Sequence, residues 1–492
     1  MNDTSIFISN LSLDRSGRLP LNEQLYRQLK NLITTRLKSG DRLPPSRDMA
    51  KLLTLGRVTV SSAYSRLTEE GFLESRPGLG TYVSAFAPSR EAESWKKPAQ
   101  DPQPLKRASL SNRAHKASLA AQFHVQATEP LAVIAPDYDS LPGKKWTQIV
   151  ARVSKSPWLH NSYSEPGGYM PYRKAVADYV RVTRGISCEP EQVIATCGIQ
   201  QGLALCTQLL LNPGDIAAVE DPCFEPHRLA LNFWDLRVAP VSLDDEGISI
   251  ESLNEEAPDA KAVLVTPSHQ YPLGTLMSLS RREQLLHWAQ THGAWLIEDD
   301  YDSELRYGGS PPPALASLDP SLNNVIYLGS FTKMIYPGFN LGYMVVPEHA
   351  VQAFAGAKCL ADRHVSEVHQ AILNEFIAGG YYDNHIRRLK KLYEGRRRAA
   401  IRAMGRYCKN YGHLKLNNQG THLTFIFENF VDDVSFCETL KKEFRIESRP
   451  LSPCFQSHAP QSGLIIGFAG FSENEIEVSV MRLGRAMQEL LA

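Results

Sequence analysis

A chain of 492 residues, 43% hydrophobic and 22% charged, is too long for one core and predicts a globular protein of two or three domains. Its eight cysteines form no C-x-x-C pair, and we find neither a signal peptide nor the roughly 18 apolar residues that span a bilayer; this argues against a disulfide scaffold, a metal site and a membrane partner and predicts a cytoplasmic location. The formal net charge is +0, yet residues 1–118 hold 19 Lys and Arg against 11 Asp and Glu, a balance of 19 − 11 = +8 that predicts a polyanionic partner for this end.

The first predicted elements are three short helices followed by a hairpin. Apolar residues recur at helical spacing over residues 21–38, a second helix is expected with Ser46 as its N-cap, and a third near Arg57. Two short alternating strands then flank the turn at 77–80. Three helices and a hairpin predict a winged helix-turn-helix domain over residues 14–84.

The third helix begins with the residue types that a DNA recognition helix needs. Short polar side chains at its start suit the major groove, basic side chains beside them suit phosphates, and glycines at the wing tip permit close approach. The predicted DNA-binding residues are Arg47, Arg57, Thr59, Ser61, Ser62, Arg66, Arg76, Gly78 and Gly80. The alternative for each arginine is a solvated surface charge, and Thr59 could equally cap the helix.

This segment resembles the winged-helix domain of GntR-type regulators over about residues 20–84. The resemblance is carried by the residues at 43–47, at 59–64, at 70–73 and at 78–81. It implies double-stranded operator DNA as the partner.

The composition shifts to Pro, Ser, Lys and Arg from about residue 85 to 119, which predicts a linker. Beyond it, helical stretches alternate with short apolar runs at 217–219, 262–265, 295–297 and 325–328. Short apolar strands between helices predict an α/β fold with a mostly parallel sheet covered on both faces. A smaller α+β lobe is expected from about Phe354.

An acidic run and a lysine about one α/β unit apart predict a pyridoxal phosphate pocket. Lys333 can form a Schiff base with the cofactor aldehyde, and Asp299, which follows an apolar run, can hold the ring nitrogen. Tyr301 lies two residues further on and could hydrogen-bond the ring oxygen, while Phe224 could stack on the ring.

The cofactor phosphate is expected at the start of a helix. Gly198, Ile199 and Gln200 offer backbone N–H groups at the positive end of a helix dipole, and Ser330 offers a hydroxyl. Each residue alone has an ordinary explanation, such as a surface lysine or an aspartate that caps a loop. Their combination with the segment 266–274 argues against chance.

Residues 120–492 resemble a fold type I aminotransferase domain, and the whole chain is similar to MocR/GabR-type regulators. The resemblance implies that Lys333 carries the cofactor and that His269 and Gln270 lie beside its ring. It also implies that Tyr163 reaches the phosphate of a neighbouring subunit, and hence a homodimer. The implied function is transcription regulation in response to a small amine or amino-acid-like effector, through aldimine exchange at Lys333.

The chain departs from these relatives at two positions. Asn340 stands where they usually have an arginine that grips the phosphate, and residues 463–466 offer no arginine for an effector carboxylate. A lost charge-assisted bond lowers the expected cofactor affinity by about 1.5 to 3 kcal/mol. Arg228 or Arg449 could substitute, although each also fits a surface charge.

Two other functions remain open at this point. One is an active aminotransferase that carries a DNA-binding domain, and the other is a DNA-binding protein with a vestigial aminotransferase-like dimerisation domain.

Overall fold

The computed structural model of the chain describes residues 11–17, 19–85, 108–121, 129–133, 137, 141–157, 163–309, 312–320, 322–456 and 460–491. The chain divides into two compact units, Met1–Ser109 and Leu110–Ala492. In the described parts, no helix has both the length and the apolar character needed to cross a lipid bilayer.

The first unit is a winged helix-turn-helix, as predicted. Its elements are α1 (Leu21–Thr35), β1 (Arg42–Leu43), α2 (Ser46–Leu52), α3 (Arg57–Glu69), β2 (Leu73–Arg76) and β3 (Gly80–Val83). The strands form an antiparallel sheet in the order β1-β3-β2. The helices bury Leu25, Leu29, Val60 and Leu67 in one apolar cluster, so helical spacing of apolar residues correctly indicated the inward faces.

Two local features of this unit concern the start of α2 and the wing. Ser46 is the first helical residue rather than the predicted N-cap; Pro45 holds that position, and α2 has no side-chain cap. In the wing turn, Gly78 and Gly80 have φ of 74° and 121°, a region that side chains with a β-carbon rarely adopt. A β-carbon at Gly80 would also lie 3.0 Å from Arg42 Nε.

The second unit is built on an eight-stranded mixed sheet. Its strands are β4 (Val193–Thr196), β5 (Ile216–Asp221), β6 (Arg237–Asp244), β7 (Gly247–Ile248), β8 (Ala262–Val265), β9 (Trp295–Asp300), β10 (Val325–Ser330) and β11 (Gly342–Val345). Their order is β4-β11-β10-β9-β8-β5-β6-β7. The five strands from β10 to β6 are mutually parallel, while β11 and β7 run antiparallel to their neighbours.

Apolar layers cover both faces of this sheet. Along β10, Val325 and Tyr327 join one core cluster, and Ile326 and Leu328 join the other, because successive side chains of a strand point to opposite faces. The accompanying helices are α4 (Asn112–Ala120), α5 (Lys144–Val153), α6 (Met170–Arg184), α7 (Gly198–Leu210), α8 (Glu225–Phe233), α9 (Ile250–Glu256), α10 (Leu279–His292), α11 (Val351–Asp362), α12 (Glu367–Ala378) and α13 (Tyr381–Tyr407). The predicted α/β class is therefore confirmed.

The C-terminal part forms a smaller α+β lobe. Its strands β12 (Gly412–Lys415), β13 (His422–Phe427), β14 (Arg449–Pro450) and β15 (Gly463–Gly467) pair antiparallel in the order β12-β13-β15-β14. Its helices are α14 (Asp433–Phe444) and α15 (Glu473–Leu491). Phe354, near which this lobe was expected to begin, is instead buried in an apolar cluster of the large sheet. Single 3-10 turns lie at Pro190–Gln192, Leu315–Leu318, Pro337–Phe339, Glu348–Ala350 and Ser452–Cys454.

The end of the predicted linker is attached to the second unit. Residues 86–107 lie outside the described residues, but α4 occupies 112–120. Arg113 and Lys116 of this helix form ion pairs with Asp235 at 3.1 and 2.7 Å. The segment predicted as a linker therefore ends in a helix that packs on the second unit.

Candidate cofactor pocket and DNA-binding surface

A cavity of about 220 Å³ lies at the carboxyl ends of the parallel strands, where ligands bind in open α/β sheets. The described residues that line it are Val133, Ile199, Gln200, Phe224, His227, Thr266, Tyr271, Asp299, Tyr301, Lys333 and Arg449. They come together because β5, β8, β9 and β10 all end at this edge. Among them are six of the residues predicted to bind the cofactor.

Asp299 supplies a carboxylate oxygen that no described residue contacts by a hydrogen bond. Its Oδ2 lies 3.2 Å from His227 Nε2, whereas Oδ1 is buried without a hydrogen-bond partner among the described residues. Burial, and then the negative charges of Asp300, Asp302 and Glu220, raise the pKa of Asp299 well above its usual range. A buried, unpaired acceptor of this kind fits the N–H of a protonated pyridine ring.

His227 is a site residue that the sequence did not reveal. Burial lowers its pKa to about 4, so the ring is neutral near pH 7, and its Nε2 lies 3.2 Å from Asp299 Oδ2. His227 follows Phe224 by three residues, which is close to one turn of α8 and places both on the cavity side. That spacing was the only signal available in the sequence.

Lys333 is half-buried, and desolvation lowers the pKa of its amine. Its Nζ lies 5.5 Å from the centre of the Tyr301 ring. A neutral amine is the form that attacks an aldehyde. The lysine therefore has the surroundings that a covalent cofactor link requires.

The ring-oxygen donor Tyr301 is held by His269 from outside the cavity. The Tyr301 hydroxyl lies 2.9 Å from His269 Nδ1, which is also 3.0 Å from both carboxylate oxygens of Asp302. His269 thus positions Tyr301 and is not among the cavity-lining residues. Gln270 donates to the carbonyls of Pro222 and Tyr271, at 2.7 and 2.6 Å, and it is not among the residues that line the cavity.

The predicted phosphate end of the pocket is the start of α7. This helix begins at Gly198 without a side-chain cap, which leaves first-turn N–H groups available to an anion. A β-carbon at Gly198 would lie 2.9 Å from Asn340 Oδ1. Asn340, which replaces the arginine usual in relatives, therefore lies at this end of the pocket. Ser330 is buried at the end of β10, and its Oγ accepts from the Thr332 N–H at 3.2 Å.

Three further residues named from the sequence are Tyr163, Arg228 and Arg449. The Tyr163 ring is 74% exposed, stacks 4.2 Å from the Arg363 guanidinium, and does not line the cavity of its own chain. Arg228 is engaged by Glu225 at 3.5 Å and by the Pro453 carbonyl at 3.3 Å. Arg228 and Arg449 were the two arginines expected to replace the missing anion-binding arginines of relatives. Of these two, only Arg449 is among the described residues that line the cavity.

The predicted DNA-binding residues separate into two groups. Arg47, Arg57, Ser61 and Ser62 are exposed and Thr59 is half-buried, around the start of α2 and along the first turns of α3. The other two arginines have partners within the unit. Arg66 contacts Glu23 at 2.6 Å and Glu70 at 3.1 Å and stacks 3.8 Å from the Tyr26 ring, and Arg76 contacts Glu74 at 2.5 Å.

Both units match known families. Residues 21–83 match bacterial regulatory proteins of the gntR family, and residues 135–483 match aminotransferase class I and II. The probable rhizopine catabolism regulatory protein MocR of Rhizobium meliloti is 32% identical over 98% of this chain and 96% of its own length. The HTH-type pyridoxine biosynthesis transcriptional regulator PdxR of Corynebacterium glutamicum is 29% identical over 92% of this chain and 93% of its own.

A solved structure extends the likeness of the second unit. LysN, an alpha-aminoadipate aminotransferase from Thermus thermophilus complexed with N-(5'-phosphopyridoxyl)-L-leucine, is 26% identical with a TM-score of 0.70. The match covers 78% of this chain and 98% of the solved one. These likenesses confirm the predicted order of a winged helix followed by a fold type I aminotransferase-like domain.

Proposed function

The chain belongs to the MocR-like regulators, in which a GntR-type DNA-binding domain precedes an aminotransferase class I and II domain, and from this membership we propose a pyridoxal-phosphate-dependent transcription regulator. In this proposal the protein is a cytoplasmic homodimer that binds operator DNA. Its effector is a small amine or amino-acid-like molecule that competes with Lys333 for the covalent link to the cofactor.

One observation carries the proposal: Lys333 lines the same cavity as Asp299, whose Oδ1 is buried without a hydrogen-bond partner among the described residues. Pyridoxal phosphate, when bound, supplies an aldehyde for a covalent link and a ring that withdraws electrons. Lys333 would hold that aldehyde, and Asp299, fixed by His227, would hold the ring nitrogen. The start of α7 and Ser330 would hold the phosphate.

The remaining lining residues orient these groups and exclude water from them. Phe224 and Tyr271 pack edge to face with ring centres 5.1 Å apart and form an aromatic wall. Tyr301 is held by His269, and its hydroxyl would hydrogen-bond the ring oxygen of the cofactor. An effector amine that takes the place of Lys333 releases the lysine side chain, and this change can shift DNA binding only as far as the effector favours one arrangement over another.

The exposed ring of Tyr163 supports the homodimer. A side chain that does not reach its own pocket, but matches a residue that reaches a neighbouring phosphate in relatives, fits a pocket completed by a second copy. The dimer would also present two winged helices to two half-sites of an operator.

Absorbance of purified protein with pyridoxal phosphate tests the proposal. We expect a visible band in the wild type and in the exposed-lysine control Lys391→Ala, and none in Lys333→Ala. After borohydride reduction, mass spectrometry should locate the adduct on Lys333. A colourless wild type without an adduct would leave the vestigial-domain function, and many turnovers of an amino acid to a keto acid would favour the aminotransferase.

A further inference from the structure

The pocket holds one guanidinium that the proposed cofactor contacts do not use. Arg449 lies on β14 of the small lobe and lines the cavity together with Lys333. Among the described lining residues, Lys333 is the one lysine and Arg449 is the one arginine. Arg449 lines the cavity with Tyr271, whose ring packs on Phe224 at 5.1 Å and on His422 at 5.2 Å. The guanidinium side chain therefore lines the cavity together with the aromatic wall.

Arg449 forms no ion pair within the part of the chain that the structure describes. Among the described residues, no carboxylate oxygen lies within 4.0 Å of its guanidinium nitrogens, whereas nearby Arg228 has Glu225 at 3.5 Å. A guanidinium presents a planar fork of donors that matches a carboxylate, and leaving such a group half-buried without an anion forgoes a charge-assisted pair. This asymmetry distinguishes Arg449 from the arginine beside it.

The position of Arg449 also separates it from the phosphate end. Gly198, Asn340 and Ser330 form that end on the large sheet. Arg449 comes from the other lobe, and its charge contributes to lowering the pKa of Lys333, so it acts on the space beside the reactive amine. An effector whose amine replaces Lys333 would occupy this space.

We propose that Arg449 binds the carboxylate of the effector, which makes the effector an amino acid rather than a simple amine. The assignment rests on the proposed function, and it supplies the anchor that residues 463–466 lack. The amine of the effector would meet the cofactor at Lys333, while its carboxylate would take the fork of Arg449.

Two matched pairs of compounds test this assignment. In 3-aminopropanoate and propylamine, and in L-alanine and isopropylamine, a carboxylate is replaced by a methyl group. Each compound is titrated into cofactor-loaded protein while the absorbance of the bound cofactor is followed. In the wild type and in the exposed control Arg402→Gln, we expect at least one acid to act at concentrations about 10-fold or more below its alkylamine.

The expected result in Arg449→Gln is that the acid loses this advantage, with partial recovery in Arg449→Lys. Equal potency of acid and alkylamine in the wild type, no response to any of the four compounds, or an unchanged advantage in Arg449→Gln would overturn the assignment. Cofactor affinity measured in the same variant must stay within a few-fold of the wild type, because a large loss would mean that Arg449 serves the phosphate.

A second measurement separates the assignment from the proposed function. Propanoate has the acid but no amine, and we expect it to raise the thermal midpoint of the wild type more than that of Arg449→Gln. If no cofactor adduct forms on Lys333 and this difference persists, the proposed function fails while the anion site stands. If the adduct forms and propanoate acts equally on both proteins, the anion site fails alone.

Discussion

The two units place their functional charges in opposite surroundings. In the winged helix, Arg57 is exposed, and Arg66 is distinguished from it only by its internal partners Glu23 and Glu70. In the second unit, Asp299 is buried and Lys333 is half-buried, and an ionised group in the interior costs several kcal/mol unless it is paired. A charged side chain without an internal ion-pair partner is therefore available to DNA when it lies at the surface. In the interior, the same lack of a partner indicates a place for a ligand.

Three successive acids on β9 show the same contrast within the second unit. Glu298 accepts from the N–H groups of Leu315 and Ala316, and Asp300 accepts from the Tyr327 hydroxyl and pairs with Arg184. Asp299 lies between them and lines the cavity, and its Oδ1 has no hydrogen-bond partner among the described residues. Glu298 and Asp300 hold the fold, and Asp299 is free to hold a cofactor.

The largest effect is expected for Asp299→Asn. Removing the carboxylate leaves the cofactor ring nitrogen without its counter-charge, and breaking a buried pair in this way costs about 3 to 5 kcal/mol. We expect pyridoxal phosphate affinity to fall by about 100-fold or more, as measured by absorbance titration. Thermal unfolding and DNA binding of the variant without cofactor should match the wild type; a variant that keeps its cofactor affinity would contradict the assignment of Asp299.

An intermediate effect is expected for the buried acid Glu220. Burial raises its pKa to about 7 from 4.5, so the folded protein favours the protonated form. The stability contributed by this group is complete below pH 4.5 and is lost as the pH rises through 7. Glu220→Gln cannot ionise, and its second unit should gain about 3 kcal/mol over the wild type between pH 4.5 and 8.

Denaturant unfolding of the second unit at several pH values measures this difference. The exposed control Glu283→Gln should follow the wild type at every pH. A difference between Glu220→Gln and the wild type that does not change with pH would show that the buried acid does not titrate in this range.

The smallest effect is expected at the DNA surface. Arg57→Ala should weaken binding to a duplex from upstream of the protein's own gene by about 10-fold, and should lower the salt slope of binding by about 1. Arg66→Ala should leave the salt slope unchanged, because Glu23 and Glu70 already neutralise this guanidinium. Fluorescence anisotropy at several salt concentrations compares the two, and the reverse order would refute the division of the arginines into free and engaged.

The pocket could be predicted where its residues follow strand ends. Asp299, Tyr301 and Lys333 each come at or just after an apolar run, and parallel strands end at one edge of the sheet. The direction of a side chain on a helix or on a distant lobe is not fixed in this way. The turn of α8 that brings His227 to Asp299 and the lobe strand that brings Arg449 to the cavity depend on tertiary packing.

The winged helix shows a similar limit. The spacing of Arg66 and Glu70 predicts an i,i+4 pair, but the contact with Glu23, 43 residues earlier, requires the packing of α1 on α3. His269 and Gln270 were expected beside the ring, and the structure gives them contacts outside the cavity. In both cases the sequence identified the segment, and tertiary packing determined which residues its side chains contact.

The exposed ring of Tyr163 makes the proposed sensor sensitive to dilution. If this side chain completes the phosphate site of another copy, dissociation into monomers opens two pockets at once, and cofactor occupancy becomes a matter of mass action between subunits. At the nanomolar concentrations of many DNA-binding assays, the protein would then lose its cofactor and its second subunit together. Gel filtration at falling concentration, monitored at the cofactor band, would show colour and dimer disappearing over the same range.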